Sequence, residues 1–132
     1  MKHQIILLGK DITSVYHGIK EFGPDHVHLL CTNETKEVAA HLFPLLPDGI
    51  RRTLYRTEPY DGEHVRNVCR KIHQTYPSAE FAYNLSEGTK VMAFAAFTIA
   101  KEYSVPAFYL SQLGELIRLD SFEKYPMKSQ LD

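Results

Sequence analysis

The sequence lacks charge of one sign, paired cysteines and long apolar runs, and each absence narrows what the chain can be. Lys and Arg number 15 against 16 Asp and Glu, a formal charge of −1 with the seven histidines neutral. The balance holds locally, with 8 basic and 9 acidic groups in residues 1–66 and 7 of each in 67–132. A duplex nucleic-acid binder that neutralises many phosphates is normally far more basic. Cys31 and Cys69 stand 38 positions apart with no CxxC motif, which reads as two reduced core residues rather than a disulfide. The longest mostly apolar stretch, residues 91–100, is too short for the roughly 20 residues that span a bilayer. The run Ile5–Leu8 is too short for the apolar core of a signal peptide. The expectation is a soluble, cytoplasmic protein without a membrane partner.

Several chemical signatures are also missing. There is no GxGxxG fingerprint, no Walker A loop, no HExxH and no GxSxG nucleophile elbow. His26 and His28 alternate on one strand and share a face, but no cysteine or carboxylate has the spacing of a third ligand. No metal and no cofactor is therefore expected. His17, His41, His64 and His73 fall on helical segments and read as surface residues.

What is present is ordinary globular material, 44% hydrophobic and 23% charged over 132 residues, enough for one domain with its own core. Short apolar runs alternate with helical-period runs. Residues 4–8, 26–31, 50–56, 80–84 and 107–110 read as strands. Between them, Ile12, Val15, Tyr16, Ile19 and Phe22 mark a helix stopped by Gly23-Pro24, and Val38, Ala39, Leu42 and Phe43 mark a second. Asp61 caps a third, carried by Val65, Val68, Cys69, Ile72 and Tyr76 and closed by Pro77. Residues 89–103 form a fourth, apolar on most sides, which places it in the core or in an interface between copies. Residues 115–119 alternate like an antiparallel edge strand, and 121–132 read as a polar tail after a domain of residues 1–120. The pattern predicts a single Rossmann-like, three-layer α/β domain with a mainly parallel sheet.

In such sheets ligands bind beyond the carboxyl ends of the strands, where the strand order switches. That directs attention to the loops after strands 1 and 4. The first reads Gly9-Lys10-Asp11-Ile12-Thr13-Ser14. It offers a glycine, a lysine and two hydroxyls at a helix N-terminus, suited to an anion and equally to plain helix capping. The second reads Asn84-Leu85-Ser86-Glu87-Gly88-Thr89-Lys90. Gly88 allows close backbone approach, Ser86 and Thr89 present hydroxyls, and Lys90 opposes the helix dipole, a cost that an anionic ligand removes. Here too a capped helix with a solvated lysine is the plain alternative.

Residues 83–97, Tyr-Asn-Leu-Ser-Glu-Gly-Thr-Lys-Val-Met-Ala-Phe-Ala-Ala-Phe, resemble the motif of CARF (CRISPR-associated Rossmann fold) domains. That motif runs from an apolar strand through Asn, Ser or Thr, usually two glycines and Thr-Lys into a small-residue helix. Ile5–Asp11 with Thr13 and Ser14 is compatible with the family's other ligand loop. The resemblance implies a homodimer that binds a cyclic oligoadenylate, the second messenger of type III CRISPR defence, across its two-fold axis.

A chain this short resembles the stand-alone ring nucleases, which cut the messenger, here read as cyclic tetra-adenylate, without a metal. A ribose 2′-OH attacks the neighbouring phosphodiester and leaves linear di-adenylate with a 2′,3′-cyclic phosphate. On this reading Lys90, Glu87 and Ser14 are the catalytic candidates. Gly9, Lys10, Asp11, Thr13, Ser14, Asn84, Ser86, Glu87, Gly88, Thr89 and Lys90 are the ligand-binding ones. Glu87 departs from the motif, standing where the family usually has glycine. It either points away from the phosphate, contacts the ligand or serves as the base. The alternatives are a non-catalytic sensor or sponge, an unrelated phosphate-binding Rossmann enzyme, and a sensor domain cut from a longer nuclease.

Overall fold

A computed structural model describes residues 1–127. Seven strands form one sheet: β1 (Lys2–Leu7), β2 (His26–Cys31), β3 (Arg51–Arg56), β4 (Glu80–Asn84), β5 (Ala107–Leu110), β6 (Glu115–Arg118) and β7 (Lys124–Pro126). Their spatial order is β3-β2-β1-β4-β5-β6-β7. The first five are parallel, β6 is antiparallel to β5, and β7 is antiparallel to β6. The helices are α1 (Thr13–Phe22), α2 (Lys36–Leu42), α3 (Gly62–Thr75) and α4 (Lys90–Glu102), with one 3₁₀ turn at Phe43–Leu45.

The expected α/β architecture and its antiparallel C-terminal strand are therefore present. One strand is additional. β7 lies in the segment that reads as polar tail, and it pairs along β6, so β6 is not the sheet edge. Its three residues are all exposed and carry no apolar alternation, which is why the pattern of residue types does not mark them.

Local chemistry explains the element ends. Gly23 closes α1 in the left-handed conformation (φ 65°), and its amide donates to the Ile19 carbonyl. Asp61 caps α3 by accepting from the His64 amide at 3.1 Å. Two cores follow from the alternation of strand side chains. Ile6, Leu8, Val27, Leu29 and Cys31 point toward α1 and α2. Ile5, Leu7, Leu30, Phe81 and Tyr83 point toward α3 and α4, where Cys69, Met92, Ala96 and Ile99 meet them. Both cysteines are free and buried, and burial pushes the Cys69 thiol up to about 12. Arg70 on α3 holds Glu102 on α4 through two 3.0 Å hydrogen bonds.

Two histidines read as surface residues are instead interior: His17 and His73 are buried. His73 bonds the Tyr83 hydroxyl at 2.9 Å and stacks on Tyr103 with ring centroids 4.0 Å apart. Aromatic partners on β4 and after α4 cover the ring, and such tertiary contacts leave no trace in local sequence. Burial holds its pKa down at about 4, only partly offset by Glu102.

The unfolded chain takes up this proton below about pH 6.5, whereas the folded chain resists until about pH 4. Stability contributed by neutral His73 is complete above that window and falls on acidification through it. Urea unfolding at pH 7 and pH 5 should differ by about 2 kcal/mol on account of His73 alone. The His73→Phe variant, which keeps a ring in the stack, should lose that share of the pH dependence. An unaltered pH slope would contradict the assignment.

Candidate functional site

β1 lies between β2 and β4. The chain leaves β1 toward β2 and returns through α3 to β4, so the switch in strand order falls between β1 and β4. The loops after these two strands meet there, as the sequence predicts.

Asn84 organises the second loop. It sits at the end of β4, only 1% exposed. Its Oδ1 accepts from the Ser86 amide at 3.1 Å and from the Ser86 hydroxyl at 2.6 Å. Its Nδ2 donates to the Ser14 carbonyl of α1 at 3.3 Å. Ser86 Oγ in turn accepts from the Leu110 amide of β5 at 2.9 Å. Gly88 then takes φ +87°, and a Cβ there would meet Leu7 at 3.0 Å. Both facts require glycine. Thr89 caps α4, accepting from the Met92 amide at 3.1 Å and donating to the Pro59 carbonyl. Lys90 is the first residue of α4 and is exposed.

The first loop packs beneath this turn. The Glu87 side chain occupies the space where a Cβ on Gly9 would project. Its Oε2 is 3.5 Å from Ser14 Oγ. Burial raises the Glu87 carboxyl above its ordinary value and nearby Asp11 raises it further; the Asp11 backbone and the Ser14 hydroxyl pull the other way. Asp11 Oδ1 accepts from the Thr13 amide at 2.9 Å, the capping role open to it in the sequence.

Two cavities flank the Glu87-Gly88-Thr89 turn. One, about 560 Å³, is lined by Gly9 and Lys10, by the turn, and by the loops after β2 and β3. The other, about 570 Å³, is apolar and lies between α4 and the β5–β6 side, with Ser86, Lys90, Phe94, Phe97, Tyr109 and Phe122 in its wall. Lys10 and Lys90 thus stand on opposite sides of one turn, and neither is in any of the four ion pairs among the described residues.

Of the sequence-selected residues, Gly9, Lys10, Glu87, Gly88 and Thr89 line the first cavity, and Ser86 through Lys90 the second. Asp11, Thr13, Ser14 and Asn84 line neither. Asn84 and Ser14 act from behind, joining the loop to α1. The hydroxyls of Ser86 and Thr89, selected as phosphate contacts, are engaged in bonds that shape the loop. Sequence reasoning missed the loops after β2 and β3: Thr32, Asn33, Glu34 and Thr35, and Glu58, Pro59 and Tyr60. Their signal was positional. They too follow the carboxyl ends of parallel strands, and Tyr60 is 78% exposed.

No protein-family model and no curated relative matches the sequence. Solved structures do match. Can2 from Sulfobacillus thermosulfidooxidans in complex with cyclic tetra-adenylate is 21% identical with a TM-score of 0.87, over 100% of this chain and 39% of that one. Protein VC1899 from Vibrio cholerae is 12% identical with a TM-score of 0.83, over 98% and 36%. A type III CRISPR defence DNA nuclease activated by cyclic oligoadenylate is 22% identical with a TM-score of 0.77, over 95% and 20%. The chain thus shares a Rossmann-like fold with these proteins, the fold that the resemblance of residues 83–97 implies. At these identities the likeness is one of fold, and the chain spans between a fifth and two-fifths of the length of these three proteins.

Asn84 makes a sharp prediction at Gly18. A helical Gly→Ala change ordinarily stabilises by about 1 kcal/mol. A methyl on Gly18 would overlap the Asn84 amide nitrogen. Gly18→Ala should therefore destabilise, by about 1–3 kcal/mol in urea unfolding. A gain in stability would show that Asn84 does not hold the loop to α1.

Proposed function

We propose that the chain binds a cyclic oligoadenylate at the β1/β4 crevice and cleaves it as a metal-independent ring nuclease, cyclic tetra-adenylate being the first ligand to test. The observation that carries this reading is the Gly88-Thr89-Lys90 turn, which opens α4 at the switch point with Gly88 against Leu7 and the preceding Glu87 against Gly9. The fold around it matches that of a protein solved with cyclic tetra-adenylate.

A helix N-terminus supplies N–H groups to a phosphate, and Lys90 adds a cation that is in none of the ion pairs among the described residues. Two copies related by a two-fold axis would present Lys10 and Lys90 twice to a ring of repeating phosphates. The surface available for that pairing is the outer side of α4, where Val91 is 38% and Phe94 74% exposed. The inner side of the same helix, through Met92, Ala96 and Ile99, belongs to the core. Tyr60, exposed at the polar cavity, offers a face on which an adenine can stack.

Cleavage needs a base, an in-line geometry and charge stabilisation. Glu87, with its carboxyl raised by burial, takes the proton of the ribose 2′-OH. The O2′–P bond forms, the P–O5′ bond breaks, and the departing O5′ takes up a proton. Lys90 and the amides of Gly88 and Thr89 face the charge developing on the phosphorus oxygens, and Ser14 holds the Glu87 carboxylate. Two such cuts convert one cyclic tetra-adenylate into two linear di-adenylates ending in 2′,3′-cyclic phosphate.

A non-catalytic sensor or sponge, acting through a partner protein, is the second reading. It is favoured by the engagement of the Ser86 and Thr89 hydroxyls in the loop itself, which leaves fewer groups for the reaction.

Incubation with cyclic tetra-adenylate in EDTA, followed by chromatography, decides between them. The expected result is linear di-adenylate with a cyclic phosphate end. Lys90→Ala should slow its formation by about 10²–10³-fold. Glu87→Gln should slow it by about 10²–10⁴-fold while binding the ring at least as tightly, since a negative charge leaves the phosphate site. Tight binding with the ring intact after hours would establish the sensor instead. No binding to any ring size would remove both readings.

A further inference from the structure

The other end of the sheet holds a cluster that the crevice does not use. His3 on β1 and His26 on β2 are register partners, and His28 is two residues further along β2. All three side chains therefore point to the α3/α4 face of the sheet. They are 3%, 2% and 0% exposed. One ring nitrogen from each lies within 4.8 Å of the other two. His3 Nδ1 and His28 Nε2 are 2.9 Å apart. The Tyr76 ring packs over all three, with centroids 4.7, 5.3 and 5.4 Å away.

The hydrogen bonds sort the nitrogens into outward and inward sets. His28 Nδ1 meets the Tyr55 hydroxyl at 2.8 Å, and His26 Nε2 meets Thr53 Oγ1 at 2.8 Å. That leaves His28 Nε2 and His3 Nδ1 facing each other, and His26 Nδ1 outside both outward bonds. His26 Nδ1 is buried and has no hydrogen-bond partner among the described residues. A buried nitrogen left in this state is costly, and a bound cation would satisfy it.

We propose that His3, His26 and His28 form a binding site for one divalent transition-metal ion of the zinc class, clamping β1 to β2 at the amino end of the sheet. The ligand set decides the class. Three imidazoles with no carboxylate in the group suit Zn²⁺, Co²⁺, Ni²⁺ or Cu²⁺ rather than Mg²⁺ or Ca²⁺. Threonine and tyrosine hydroxyls on the outward nitrogens fix ring orientation and tautomer, as the partners of metal-bound histidines do. Zn–N bonds of about 2.0–2.1 Å place donor nitrogens roughly 3.3 Å apart in a tetrahedron. His3 and His28 need to open slightly from 2.9 Å. His26, stacked on His28 at 4.1 Å, needs to turn its lone pair toward them. Ligation is by the neutral imidazole, so uptake of the ion should weaken as the pH falls. A fourth position remains for water. The site is independent of the proposed ring chemistry, which lies beyond the opposite ends of the same strands.

The test uses the full chain without an affinity tag, stripped with a chelator and titrated with Co²⁺. The expected result is saturation at one Co²⁺ per chain, with visible absorption of a low-coordinate nitrogen site. One equivalent of Zn²⁺ should displace it and, at a hundredfold excess over Kd, raise the Tm by about 10 °C. His26→Asn and His3→Asn should abolish the absorption, while His41→Asn and His64→Asn, on exposed or half-exposed helical positions, should keep it. The cluster is buried and its variants are liable to misfold, so X-ray absorption of the wild-type zinc form provides an independent reading. It should show a nitrogen and oxygen shell with the outer scattering of three imidazoles. No saturable cobalt band, a band that survives His26→Asn, one lost in His64→Asn, or a zinc shell with fewer than three imidazoles would overturn the proposal.

Discussion

The Asn84 side chain is a buried amide whose three hydrogen bonds tie together parts of the chain that would otherwise meet only by packing. Its oxygen folds the β4 loop back on itself, and its nitrogen holds the first turn of α1. Through Ser86 the same network reaches β5. A buried polar group of this kind is costly unless all its bonds are made. Loop, helix and neighbouring strand are thus committed together. Gly18 is part of the same constraint, because the amide needs the space that a larger residue would fill.

On that frame the electrostatics of the crevice are divided rather than uniformly positive. Lys10 and Lys90 look out on separate cavities, with Glu87 between them above Gly9. Glu34 and Glu58 add further carboxylates to the polar cavity. A near-zero net charge is therefore compatible with two focused cationic points, and the acidic groups beside them confine the positive potential to those points. The apolar cavity against α4 has a different character. Phe94 and Phe122, each 74% exposed, leave hydrophobic surface at its mouth.

Much of this was legible in the residues. Strand and helix periodicity located β1 to β6 and all four helices, and the strand-order rule pointed to the two loops that meet at the crevice. The Gly88-Thr89-Lys90 turn was legible because its chemistry is local: a left-handed glycine, a cap and a first-turn cation in sequence. What escaped was whatever depends on register between strands. His26 and His28 are visible as a pair, but His3 joins them only because β1 lies beside β2 with His3 opposite His26. The burial of His17 and His73 comes from tertiary packing: the periodicity of α1 puts His17 opposite its apolar stripe, and that of α3 puts His73 at the stripe's edge. The direction taken by Glu87 is likewise set by Gly9, 78 positions away in the chain. β7 carries no apolar alternation, and its three residues are exposed among the described residues.

That last strand bears on how the molecule can associate. β7 ends at Pro126, which has no amide hydrogen to offer, and begins at a lysine. At the opposite margin β3 exposes Arg51 and Arg56 beside half-buried Arg52. Charged side chains and proline are what blunt a sheet margin against strand addition. Neither margin is a ready template for another backbone, so growth of the sheet from molecule to molecule is disfavoured at both ends. Any contact between copies would then fall to the helical layers and the loop edge, where recognition is by side chains rather than by backbone pairing.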